Sequence, residues 1–276
     1  MAGRFSLRDR GLVFGRVLLF FLACASLLAF AAPHCSTLPG QWPKVALGSI
    51  TSIATLALTL LFVRWDGIRM TDAGAVPTRK SVARLALGFV VGLFMVSVQF
   101  SSVALAGHVT WVRTPETSEA AVAMALIAYL VLACREELAF RGYPLRRLDH
   151  VFGAWAAQIV VALVFAIEHR AGGYSWSNAI FGAFVGSLLF GMAALATKGL
   201  AVPIGLHAAW NLGTWAIGEK DLPGLWKPVI EADFKTRVDR AEMIGYLVVF
   251  GSVTLVFWWW QHRLKITRNE FENGLA

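Results

Sequence analysis

Long apolar runs, broken by short polar stretches, dominate the chain. Eight of them approach the ~20 residues that a helix needs to cross a bilayer: about 11–32, 43–63, 82–107, 118–148, 152–169, 178–197, 200–218 and 243–260. The pattern predicts an all-α, polytopic membrane protein of about eight transmembrane helices. The fourth run is too long for a simple span, so its end at Arg146 and Arg147 is expected to project into water. Trp258, Trp259 and Trp260 read as an interfacial aromatic belt. The organisation expected is three N-terminal spans over 1–117, a four-span segment over 118–218, an outer loop over 219–242, and a last span with a tail over 243–276.

Composition agrees with this pattern. Of the 276 residues, 57% are hydrophobic and only 15% charged, against about 25% charged in a soluble domain. The net charge of +8 invites a nucleic-acid reading, but no basic soluble face is present to carry one. The charge instead follows the positive-inside rule. With the N-terminus in the cytoplasm, 17 of the 25 lysines and arginines fall on the inner side. They cluster at Arg4–Arg16, Arg64–Arg84, Arg135–Arg147, Lys198 and Arg263–Arg268. Both termini are therefore expected in the cytoplasm of a cell-membrane protein. The first run also resembles a signal peptide ending at Ala29-Phe30-Ala31, and its length favours an uncleaved helix. Cys24, Cys35 and Cys134 are scattered and imply neither a disulfide framework nor a zinc-ligand spacing. Gly88/Gly92 and Gly182/Gly186 have the spacing that lets membrane helices pack closely, and close packing is the role expected of them.

Against this apolar background the ionisable residues stand out. Arg135, Glu136, Glu137 and Arg141 lie within seven residues inside a predicted span. Each costs roughly 2.5–3.5 kcal/mol on insertion scales, so such residues are rare and usually functional. Glu137 and Arg141 are four apart, share a helix face and can pair, which leaves Glu136 freer for chemistry. A second polar site is Phe165-x-x-x-His169, with an aromatic ring one turn below an imidazole. The third is His207-x-x-x-Asn211, a histidine and an amide on one face of an apolar helix. That pair suits a metal ligand, an oxyanion donor or an interhelical hydrogen bond. At ~1.5 Å rise per residue, Glu136 and His207 both come out about 10–15 Å below the cytoplasmic surface, with His169 somewhat deeper. The count assumes one helix from Glu136 to a turn near 149–151, and adjacent fourth and fifth spans. It predicts one buried site open to the cytoplasm.

The three motifs together resemble those of the CAAX protease and bacteriocin-processing (CPBP) family, also called the Abi or type II CAAX prenyl endopeptidase family. Its pattern is EExxxR, FxxxH and HxxxN/D. Here it is met by Glu136-Glu137-Leu138-Ala139-Phe140-Arg141, Phe165-Ala166-Ile167-Glu168-His169 and His207-Ala208-Ala209-Trp210-Asn211. The match covers about 118–218. The resemblance implies a membrane-embedded endopeptidase with an intramembrane active site acting on peptide or protein substrates, lipidated ones among them. Carried over, Glu136 and His169 activate water, His207 and Asn211 stabilise the oxyanion, and Glu137, Arg141 and Phe165 support them. Glu136, His169 and His207 also suit zinc with an open position for water, although the usual HExxH helix is absent. The family is described both as metalloproteases and as glutamate proteases, so a zinc cofactor stays open at this point. The competing reading is a non-catalytic membrane immunity factor or a regulator of other membrane proteins.

Overall fold

The computed structural model describes residues 5–115, 117–220 and 223–274, with side chains as far as Arg263. Arg4, Asp221 and the side chains of Lys265 and Arg268, which entered the charge and loop assignments, lie outside the described residues. The described chain is a helical bundle in nine α-helices: α1 (Leu7–Cys35), α2 (Trp42–Trp65), α3 (Ser81–Ala106), α4 (Glu119–Arg141), α5 (Tyr143–Phe152), α6 (Ala154–Ala171), α7 (Val185–Thr197), α8 (Ala201–Ala216) and α9 (Lys235–Gly274). Six helical segments are long and apolar enough to cross a membrane: α1, α2, α3, α6, Asn178–Thr197 and the described part of α9 with the turn before it. Of the eight expected spans, two fall short of that standard. α4 carries too many charges, and α8 has only 16 residues. Both are wedged among other helices, α4 against α2 and α8, and α8 against α3.

The expected fourth span is in fact two helices. α4 ends at Arg141 and α5 begins at Tyr143, with Gly142 between them at φ −72° and ψ −116°. Pro144 enforces the break. It donates no backbone N–H and fits only the first turn of a new helix. Arg146 and Arg147 consequently do not project into water. Arg146 donates from Nη2 to the Ala194 carbonyl at 2.7 Å, and Arg147 Nε lies 2.6 Å from Asp66 Oδ2. Asp66 also accepts from Arg16 and, at 2.9 Å, from the Tyr143 hydroxyl. This fully buried carboxylate ties α1, the end of α2 and α5 together. The other helix of the expected pair, α6, packs mainly on α5 rather than α4.

Two further departures shape the other end of the bundle. Val109–Arg113 (β1) and Trp226–Ile230 (β2) form an antiparallel pair, with Val109 opposite Ile230, where no strand was expected. The first turns of the sixth span, Asn178–Phe184, are a π-helix, a form that is rare and concentrated at functional sites.

α8 is held unusually close to α3, and the glycines explain why. A Cβ on Gly88 would lie 2.2 Å from the Val202 carbonyl oxygen, and one on Gly92 would lie 2.7 Å from that of Leu206. Gly205 faces the Leu85 carbonyl oxygen in the same way, at 2.2 Å. The expected close contact is therefore present for Gly88 and Gly92, and the helix it fixes carries His207 and Asn211. In the second pair, Gly186 faces the Tyr246 hydroxyl while Gly182 meets nothing.

Candidate active site

Glu136 and Glu137 are adjacent in sequence but face different surroundings. Glu137 is completely buried. Its Oε1 lies 3.5 Å from Arg141 Nη1, one turn along α4, and 2.9 Å from His207 Nδ1 on α8. The expected Glu137–Arg141 pair is thus present, and the shorter contact is to histidine. A carboxylate can only accept, so His207 carries its proton on Nδ1 and turns Nε2 the other way. Nε2 then lies 3.5 Å from Glu136 Oε2, too far for a direct hydrogen bond. His207 is further fixed by stacking on Phe190, with ring centroids 4.4 Å apart.

Arg141, also fully buried, lies with its guanidinium 4.5 Å from the centre of the Phe165 ring, and near those of Phe140 and Phe190. Ring faces attract a cation, the more so when desolvated. Phe165 has a second task. Its carbonyl accepts from His169 Nδ1 at 2.9 Å, and its ring packs against the imidazole at 4.2 Å. The Phe-x-x-x-His spacing therefore fixes the tautomer of His169 and leaves Nε2 as the acceptor nitrogen. His169 is two residues from the end of α6, at Ala171.

Asn211, one turn beyond His207 on α8, accepts at Oδ1 from Lys220 Nζ at 3.1 Å. His169, His207 and Asn211 all line one cavity of about 760 Å³, whose wall also includes Phe165, Phe190 and Tyr246. The cavity meets the polar cluster at His207 and His169, while Glu136, Glu137 and Arg141 are not part of its wall. Its rim is made by the α6–π-helix link at Gly173–Asn178, by Glu219 and Lys220 after α8, and by Lys235, Asp239 and Glu242 at the start of α9. These segments lie at the end of the bundle opposite α5 and the arginine-rich 64–84 link. Which side of the membrane that rim faces depends on the orientation, which the fold alone does not give. On the orientation read from the basic residues it would be the outer side, whereas the helix count from the sequence opened the site to the cytoplasm. The assumption of one straight helix from Glu136 to 149–151 does not hold, because the chain breaks at Gly142.

Three participants were not singled out from the sequence. Glu168 binds Arg135 at 2.6 Å and links α6 to α4 beside the site. Phe190 clamps His207. Lys220 reaches back to Asn211 from beyond the helix end. Glu168 could have been found as one more charge in an apolar run, whereas the other two announce themselves only in three dimensions. Among the described residues, no three His, Cys, Asp or Glu side chains form a group that could hold a metal ion. Glu136, His169 and His207 thus do not make a zinc ligand set in this arrangement.

Residues 118–213 match the family model described as type II CAAX prenyl endopeptidase Rce1-like. Over that segment the chain is similar to that family. The matched segment is about a third of the chain and contains all three motifs. No curated protein matches the chain. The match agrees with the resemblance read from the motifs, and the six long apolar helical segments are those of a multi-pass membrane protein.

Proposed function

We propose that this Rce1-like protein is a membrane-embedded endopeptidase in which Glu136 activates water. The observation that carries the reading is the division between the two glutamates. Glu137 is fully buried and locked between Arg141 and His207, while Glu136 lies 3.5 Å from the other nitrogen of His207 and keeps its side chain 16% exposed. A carboxylate so placed can take a proton from a water molecule as the oxygen attacks the peptide carbonyl. The negative charge that develops on that carbonyl oxygen requires donors. The Asn211 amide is one. His207 is the other, offering Nε2–H once it carries a second proton. His169, with Nε2 as acceptor, assists the proton transfers and helps return a proton to the leaving amine. Arg141, Phe165 and Glu137 position these groups. Every step uses the chain's own side chains, and none is routed through a metal.

The substrate class that fits is a peptide or protein held at the membrane, lipidated chains included, because the reactive groups lie within a bundle that lipid surrounds. The excess of basic residues at the α5 end supports an orientation in the cell membrane with both termini in the cytoplasm. Substrate then reaches the site through the rim on the opposite face. The test is a comparison of membrane-protein fragments in cells carrying wild type or Glu136→Gln. Fragments that depend on Glu136 support the reading, and identical fragment sets overturn it.

A further inference from the structure

We propose that Lys220, outside all three motifs, is a positioning residue that sets the orientation of the Asn211 amide. The inference rests on the endopeptidase reading above and concerns the same site.

The path of the chain explains how Lys220 gets there. α8 ends in a Schellman turn. Glu219 N–H donates to the Thr214 carbonyl at 2.9 Å, and Gly218 N–H to that of Trp215 at 3.0 Å. Gly218 sits at φ +86°, a left-handed conformation that glycine adopts without strain. A side chain there would also collide, since a Cβ would lie 2.4 Å from the Trp226 carbonyl oxygen. The turn folds the chain back over the helix end. Lys220 can then reach down nine residues of sequence to Asn211 and donate to its Oδ1 at 3.1 Å. Both side chains line the cavity that His169 and His207 also line.

The chemistry follows from donor and acceptor inventories. An ammonium group has three donors and no acceptor, while an amide has one of each kind at opposite ends. Facing Lys220, the amide must present its oxygen. The NH2 end is then turned away from Lys220 and is the end that can donate to a substrate carbonyl oxygen. Without Lys220 the amide can rotate by half a turn and present its oxygen to the developing oxyanion, which would repel it. The cation also lies one amide away from that charge and favours it electrostatically. Both effects act in the transition state, so they belong in kcat rather than KM.

The test uses the full-length protein in lipid nanodiscs and a fluorogenic, farnesylated CAAX peptide as probe, with Glu136→Gln as the blank. Lys220→Met is expected to lower kcat by about 10–100-fold, somewhat less than the loss of an oxyanion donor itself, with KM within about twofold. Lys220→Arg keeps a donor for Oδ1 and is expected to recover most of the rate. Thermal melting of each variant separates misfolding from a kinetic loss. A folded Lys220→Met with wild-type kcat, a change confined to KM, or failure of arginine to recover activity in a folded protein would each overturn the proposal alone. Wild-type protein no faster than Glu136→Gln would overturn the endopeptidase reading, and the role of Lys220 with it.

Discussion

Glu137 Oε1 lies 2.9 Å from His207 Nδ1, across the contact between α4 and α8. This hydrogen bond joins the first motif to the third and gives Glu137 two functions at once. It balances the buried Arg141, and it fixes which nitrogen of His207 faces the cavity. Glu137→Ala leaves Arg141 uncompensated, and removing one partner of a buried pair costs about 3–5 kcal/mol. The yield of folded protein should fall sharply, as read by size-exclusion chromatography of solubilised membranes. Glu137→Gln keeps an oxygen for Nδ1–H and should fold better than Glu137→Ala while remaining slower than wild type. Equal yields for the two variants would show that the histidine contact adds nothing.

The rim of the cavity should respond to pH near neutrality. Glu219 is exposed at the mouth, yet desolvation by the protein around it and the nearby Glu242 push its carboxyl up to about 7, while Lys220 opposes the shift. The ordinary value is 4.5. The unfolded chain therefore releases this proton about 2.5 pH units before the folded one, and stability from this group declines as pH rises from about 4.5 to about 7, then levels off. The difference in melting temperature between wild type and Glu219→Gln should widen over that window in favour of the glutamine variant. A difference that stays flat between pH 4.5 and 7 would contradict the shift.

Access from the face opposite α5 can be read by labelling. In a protein whose native Cys24, Cys35 and Cys134 are replaced, Ser175→Cys at the rim should react with an impermeant thiol reagent in intact cells. Thr78→Cys, in the link between α2 and α3, should react only after permeabilisation. Both positions are exposed, so lack of reaction reports sidedness rather than burial. The reverse pattern would place the rim in the cytoplasm and invert the proposed orientation.

The sequence revealed the helical character, the three motifs and the Glu137–Arg141 pair, because each depends on spacing along one helix. Spacing also accounts for the bond of His169 to the Phe165 carbonyl. What spacing could not supply was the relation between helices. Nothing local says that Glu137 touches His207, 70 residues away, or that Phe190 stacks on it. The break at Gly142 was legible in Gly142-Tyr143-Pro144, but the apolar run through it concealed the signal. Arg146 and Arg147 looked solvated because their partners, Asp66 and the Ala194 carbonyl, come from distant parts of the chain.

Metal removal should be without effect. Among the described residues no three His, Cys, Asp or Glu side chains form a group that could hold a metal ion, and the proposed water activation needs none. Dialysis of solubilised protein against a strong zinc chelator should leave cleavage unchanged. Loss of activity that returns on adding zinc would contradict this account of water activation.

The central claim is that Glu136, and not its neighbour, performs the chemistry. Cleavage of a membrane-reconstituted substrate, scored by the appearance of a new peptide N-terminus, tests it most directly when Glu136→Gln is compared with wild type at equal amounts of folded protein. Replacing the carboxylate by an amide of the same shape removes the base while the Glu137–His207 and Glu137–Arg141 contacts remain. Folding should be unaffected and the new N-terminus should disappear. Cleavage by Glu136→Gln at the wild-type rate would contradict the account.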